Sequence, residues 1–322
     1  MSRASNYYIM ALIHLFLLAN HLPTVLDALI FDICGEHSDR ERAILMMKLS
    51  VPQNIASAVG PYLALQVFFL ISANAHMSLL MCGLLHLILI LPILFFFIPP
   101  RDNQSRTASY LPSINDYMEM VNDHNIRWCL IFLMLVAAPY SAYDQILRLR
   151  LSTFMLFDIS EMGKLALISG ICALLGNFCI LPLMQTRFGP QTLIKLSFTI
   201  LFIGYIFLSR VSDYSFILIG MPIQMVAVCT ASGQLATQIF AHVARRNMGK
   251  AAALNRATQL LASVFAPLLS SFLMSARETT TTICYVCAAI SLLAILLVHY
   301  YGSFMKIHPQ YLPTQLYNEK TT

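Results

Sequence analysis

Ala56-Ser57-Ala58-Val59-Gly60-Pro61-Tyr62-Leu63 and Ala262-Ser263-Val264-Phe265-Ala266-Pro267-Leu268-Leu269 are one phrase written twice, 206 residues apart. Each copy opens an apolar run, and each follows a basic, helix-forming loop. The second copy lies six apolar runs after the first, which reads as two parallel units of six helices. The two copies differ in what precedes them within their units. Four runs lead up to Ser263 from the middle loop, but only one leads up to Ser57. If the units are equivalent, roughly 80 residues and three helices are expected to be missing from the front of the first.

Composition says which solvent these runs face. The chain is 58% apolar and 11% charged, with a mean hydropathy of +0.70, whereas soluble domains carry about 25% charged residues. Runs of the roughly 20 apolar residues needed to cross a bilayer fall near Tyr8–Ile33, Val51–Ile71, Ser78–Ile98, Trp128–Leu147, Leu165–Leu183, Thr192–Leu208, Tyr214–Phe240, Ala251–Met274 and Thr282–Tyr300. The runs are continuous rather than alternating, which favours helices over barrel strands. The expected fold is therefore an all-α membrane protein of about nine spans. Residues 1–99 hold three of them, 100–127 form a middle loop, 128–301 hold six, and 302–322 are a polar, disordered tail. The first run has no small-residue cleavage site after it and reads as a span, not a removable signal peptide.

The net charge of +5 is spread over short loops and implies no nucleic-acid partner. It gives orientation instead. With the N-terminus outside, one side holds Arg40, Arg42, Lys48, Arg101, Arg106, Arg127, Arg187, Lys195, Arg245, Arg246, Lys250, Lys306 and Lys320. The other holds Arg3, Arg148, Arg150, Lys164, Arg210 and Arg277. The richer side is the cytosolic one by the positive-inside rule, so the C-terminus is expected in the cytosol. Within the middle loop Ser113 reads as a helix cap. Ile114, Tyr117, Met118 and Val121 share a face at i, i+3, i+4 and i+7, as in a short amphipathic helix on the membrane surface. All eight cysteines fall in or beside apolar runs. Cys284 and Cys287 have C-x-x-C spacing, yet they read as small hydrophobes in a span.

The segments Phe31-Asp32-Ile33-Cys34-Gly35, Asp39-Arg40-Glu41-Arg42-Ala43 and Ala58-Val59-Gly60-Pro61-Tyr62-Leu63 resemble the fourth and fifth helices of the major facilitator superfamily. There an Asp closes the fourth helix, an acidic-Arg loop follows, and a Gly-Pro step opens the fifth. Met184-Gln185-Thr186-Arg187-Phe188-Gly189-Pro190 resembles the loop between the second and third helices of that family's C-terminal half, with Arg187 and Gly189 matching its pattern. The branch most resembled is that of the organic-cation-transporter-like and tetracycline-carrier-like members. The resemblance implies a major facilitator fold, N-terminally truncated, with Asp32, Arg42, Gly60, Pro61, Arg187, Gly189 and Arg256 in conformational roles. Two departures stand out. Ala64-Leu65 replaces the Gly-Gly pair of the antiporter motif, which leaves proton coupling open. Asp32 also lacks the basic loop against which it would pack.

Ionisable groups inside a bilayer are costly and are functional candidates by default. Asp27 is the sharpest, either a cation or proton site facing a cavity or a carboxyl paired near the cytosolic boundary. His14 and His21 share a face and fit either a proton path or packing. Asp144 and Arg148 stand at i, i+4, the spacing of a local ion pair. Tyr140 and Tyr143, on what the resemblance makes a cavity-lining helix, are candidates to stack on an aromatic or cationic solute. Asn177, Gln224 and Gln234 are neutral polar residues within spans, fitting interhelical hydrogen bonds or solute contacts. Arg256 is placed to snorkel to the cytosolic interface.

No metal-spaced His/Glu set, G-x-S-x-G or phosphate loop is found, so neither an enzyme nor a cofactor is expected. The leading expectation is a secondary-active transporter of a small organic solute, an organic cation among them, working by alternating access in the lipid bilayer. The rival is a truncated, non-transporting membrane protein acting by association or regulation. In it, surfaces left open by the missing helices would be covered by a partner, a homo-oligomer included.

Overall fold

The computed structural model describes residues 114–153, 159–210, 214–243, 247–273 and 279–302, together with Ile55, Val59, Gly60, Leu84 and Ile88. Among these residues the chain is all helical, with no strand. The elements are α1 (Ile114–Asn122), α2 (His124–Thr153), α3 (Ile159–Leu175), a π-turn (Gly176–Ile180), α4 (Leu181–Arg187), α5 (Pro190–Arg210), α6 (Tyr214–Ala241), α7 (Met248–Leu273) and α8 (Thr279–Tyr301). Each of the six apolar runs expected after the middle loop coincides with one helix or, for Leu165–Leu183, with the course α3, π-turn and α4. The five single positions are helical too, inside or at the edge of the expected second and third runs. The first run, His14, His21, Asp27, Asp32, Arg42, Pro61 and the polar tail lie outside the described residues.

Among the described residues, four helical stretches are long and apolar enough to cross a membrane: His124–Arg148, Pro190–Arg210, Phe216–Ala241 and Thr281–Tyr301. This is the composition of a membrane protein. α7 opens with Lys250, Asn255, Arg256 and Gln259, and α3 is cut short by the π-turn. Those two features set them apart from the other four.

Local chemistry sets the ends. Asp123 caps α2, its Oδ1 accepting the N–H groups of Asn125 at 2.8 Å and Ile126 at 3.3 Å, two of the donors that a helix start leaves unpaired. α4 stops where Phe188 turns extended, with φ −120° and ψ 142°. α5 then begins on Pro190, whose fixed φ and missing N–H suit a first helical position, and the Leu193 N–H reaches back to the Gly189 carbonyl at 3.0 Å.

α2, α5, α6 and α8 form a closed ring, in which α6 meets α5 and α2, and α8 meets the same two. α7 packs on the α2 side of this ring. α3 and the π-turn pack on the α6 side. The contacts repeat when the first three helical courses are exchanged for the last three, so that α2 becomes α6, the α3–α4 course becomes α7, and α5 becomes α8. Under that exchange α2·α7 becomes α6·α3, and α2·α8 becomes α6·α5, while α2·α6 and α5·α8 map onto themselves. The two leading helices, α2 and α6, each carry an internal proline, Pro139 and Pro222.

α1 leaves Ile114 and Met118 exposed on the outside of the bundle, buries Met120 and packs Val121 against the core. The Asp116 carboxylate accepts from Lys250 Nζ of α7 at 2.9 Å, which ties α1 to the start of α7.

Glycines bring α6 close to its neighbours. A Cβ on Gly204 of α5 would stand 2.9 Å from Gln224 Cγ, and one on Gly220 of α6 would stand 2.9 Å from Leu208 Cδ2. A Cβ on Gly176 in the π-turn would meet the Val226 backbone Cα at 3.3 Å. Gly204→Val is expected to lower stability by about 1–3 kcal/mol through overpacking. Ile203→Ala, on the exposed face of the same helix, should change it little. Thermal unfolding of the detergent-solubilised variants measures the difference.

Candidate functional site

Tyr140 and Tyr143 leave α2 just after Pro139, whose ring removes one backbone donor from the middle of the helix. The Pro139 carbonyl accepts from Cys287 Sγ of α8 at 3.4 Å. Tyr140 donates its hydroxyl to Met225 Sδ of α6 at 3.0 Å, joining the two leading helices near Pro222. Tyr143 points into the ring instead. It is 1% exposed and meets Tyr205 of α5 edge to face, with centroids 5.4 Å apart.

Gln224 follows Pro222 by two residues and lies fully buried against Gly204, the neighbour of Tyr205. Neither amide atom of Gln224 finds a hydrogen-bond partner, and neither do the hydroxyls of Tyr143 and Tyr205. Burying such groups unpaired costs on the order of 1–3 kcal/mol each. Three elements thus bring unspent hydrogen-bonding capacity to the middle of the ring.

One turn beyond Tyr140 is Asp144. Its Oδ2 accepts from Arg148 Nε at 2.8 Å, the pair that the i, i+4 spacing predicts. Its Oδ1 is buried and has no partner. Half of this carboxylate is committed, and the other half retains its acceptor capacity. Asp144, Tyr140 and the sulfur of Met225 together make a small site with an anionic oxygen, an aromatic ring and a polarisable thioether, all of which suit a cation.

The other sequence-selected residues separate from this site. Gln234 of α6 accepts from Gln185 Nε2 of α4 at 2.7 Å. That is an interhelical bond of a kind contributing about 0.6 kcal/mol in membranes. Asn177 lies in the π-turn. Arg256 turns back to Gln259 of its own helix at 3.4 Å. Arg187 ends α4 and is exposed, while Gly189 forms the link to α5. Gly60 is helical and exposed, with open space where a Cβ would stand.

Tyr205, Met225 and Gln185 were not singled out by the sequence. Tyr205 had the best available signal, a polar aromatic after a glycine inside an apolar run. No group of three or more His, Cys, Asp or Glu side chains converges among the described residues. No family model matches the chain, and no curated protein matches it.

Arg148 is 49% exposed, so its bond to Asp144 is screened by solvent and worth only about 0–1 kcal/mol. Arg148→Gln should therefore leave the melting temperature within a few degrees of the parent. A collapse of the fold in that variant would show that the pair holds the helix ends together.

Proposed function

We propose that this chain is a secondary transporter of a small organic solute, with an organic cation as the solute best suited to it. The observation that carries this reading is the exchange symmetry of the helix contacts. Units of three spans contain an odd number of crossings, so a second unit following the first is turned upside down. Inverted repeats of three spans, nested within a six-helix half, are the build of major facilitator carriers. The sequence resemblance points to the same family. The two leading helices each carry an internal proline, and Tyr143, Asp144 and Gln224, each with a buried polar atom that has no partner, lie within about a turn and a half of those prolines.

In this mechanism the six described spans act as one half of the carrier. They rock against the other half about a site between the two halves, exposing it to each side in turn. Asp144 supplies the negative charge through its uncommitted oxygen, and Arg148 holds the carboxylate in place through the other. Tyr140 presents its ring to the bound cation. Helices with an internal proline suit such motion, because the missing backbone donor already interrupts the hydrogen-bond ladder that a tilting segment would have to break. No bond is made or broken in the solute, so no catalytic group is required.

Uptake of a radiolabelled quaternary ammonium, tetraethylammonium, into proteoliposomes tests the reading. Asp144→Asn should reduce uptake roughly 10-fold or more, the loss of one hydrogen bond or contact to a charged group. Tyr140→Phe should retain most activity, since its ring remains, whereas Tyr140→Leu should not. Uptake no greater than in protein-free vesicles would overturn the transport reading. Uptake unchanged in Asp144→Asn would overturn this site.

A further inference from the structure

The π-turn, α4, α5 and α6 enclose a cavity of about 240 Å³ that takes no part in the site above. Its wall is apolar, made by Ile180, Met184, Leu193, Leu196, Ile200 and Ile223. Ser197 also lines it but is satisfied by its own helix, donating to the Leu193 carbonyl at 3.0 Å. Thr230 is different. It lines the same cavity, is 5% exposed, and its hydroxyl has no partner. An apolar cavity with one unsatisfied donor in its wall fits a guest that is mostly hydrocarbon and carries an oxygen.

Both walls end on positive charge. Ile180, Met184 and Arg187 follow one another at i, i+4 and i+7, so the stripe that lines the cavity finishes on an exposed guanidinium. On the facing wall, Leu193 lies one turn inside the start of α5, a 21-residue helix that begins on Pro190. The Leu193 N–H bonds the Gly189 carbonyl, and Gln191 and Thr192 supply the first-turn N–H groups towards the same end. Helix starts favour anions. Thr230 stands one turn deeper than Gln234, which is bonded to Gln185 two residues before Arg187. The order from mouth to floor is therefore cation, hydroxyl donor, hydrocarbon.

We propose that this cavity holds the headgroup-proximal half of one acyl chain of an anionic phospholipid, with the phosphate at Arg187 and the α5 N-terminus and an ester oxygen accepting from Thr230. The guest comes from the phase in which these helices stand. Ile223, at the rim, is 52% exposed, so a chain enters sideways from the bilayer. The π-turn gives the cavity its shape. Its extra residue displaces the Ile180 wall from the regular helical course, and Gly176 lets the turn sit against the Val226 backbone. The site requires only that α4, α5 and α6 lie in a membrane, and it stands whether or not the chain transports a cation.

Native mass spectrometry of the purified chain, with phosphatidylserine, phosphatidylcholine or oleate added to the detergent, tests this. The parent should retain one phosphatidylserine, favoured over phosphatidylcholine by about five-fold, the contribution of one basic residue near anionic lipid. Arg187→Gln, at an exposed position that burdens no packing, should abolish that preference while a chain is still retained. Leu196→Trp should fill the cavity and lose both lipids, with helix content checked by circular dichroism. Thr230→Val should weaken retention of both phospholipids alike. Equal retention of the two headgroups by the parent would overturn the proposal, as would an unchanged preference in Arg187→Gln. Retention of oleate alone would show a chain site that is not a phospholipid site.

Discussion

The close approach of α6 to its neighbours is the constraint on which the rest of this bundle depends. In hydrocarbon, helices gain nothing from hiding apolar side chains, so they associate through tight fit and polar contacts. Gly204, Gly220 and Gly176 supply that fit at three levels along α6. Fully buried alanines extend it, among them Ala227 and Ala231 on α6 and Ala142 on α2. Because α6 is clasped by α5 on one side and the π-turn on the other, its polar residues have fixed addresses. Gln224 is pressed into the ring, and Gln234 is delivered to Gln185.

That rigidity contrasts with the interior it encloses. Tyr143, Tyr205 and Gln224 are buried without hydrogen-bond partners, and Asp144 spends only half of its carboxylate. A bundle selected for stability alone would replace such groups with hydrocarbon, since unpaired polar atoms destabilise the folded state. Here they collect beside Pro139 and Pro222, where the backbone is already interrupted. That coincidence of internal prolines and unspent polarity is what the proposed transport reading rests on. One end of the bundle is tied by contacts between elements. Trp128 stacks on Tyr301 at 4.2 Å, and Gln191 donates to the Val298 carbonyl at 3.0 Å. Lys250 bonds Asp116 at the same end.

Much of this was legible in the chain. Span-length apolar runs located six helical courses after the middle loop, because a bilayer of fixed thickness imposes a minimum length on anything that crosses it. The i, i+4 spacing of Asp144 and Arg148 gave their ion pair, and polar residues inside spans gave the Gln234 bond without its partner. What the sequence missed depended on a second element. The tie of α1 to the bundle comes from Lys250, 134 positions from Asp116. Tyr205 looked like one more aromatic in an apolar run until Tyr143 was brought against it. The π-turn had no local signature, because Gly176 is explained by the Val226 backbone opposite and not by its own neighbours.

The sequence by itself thus determined the solvent, the helices and their approximate ends, for these follow from hydrocarbon content, bilayer thickness and capping residues acting within a few turns. Only the tertiary structure decided which of the polar residues meet, which are left unpaired, and how the second triplet of helices packs as the image of the first. Those outcomes are set by contacts between helices, whose angular positions a continuous apolar run does not encode. A span that is apolar all round has no preferred face until a glycine, a proline or a buried amide on its neighbour gives it one.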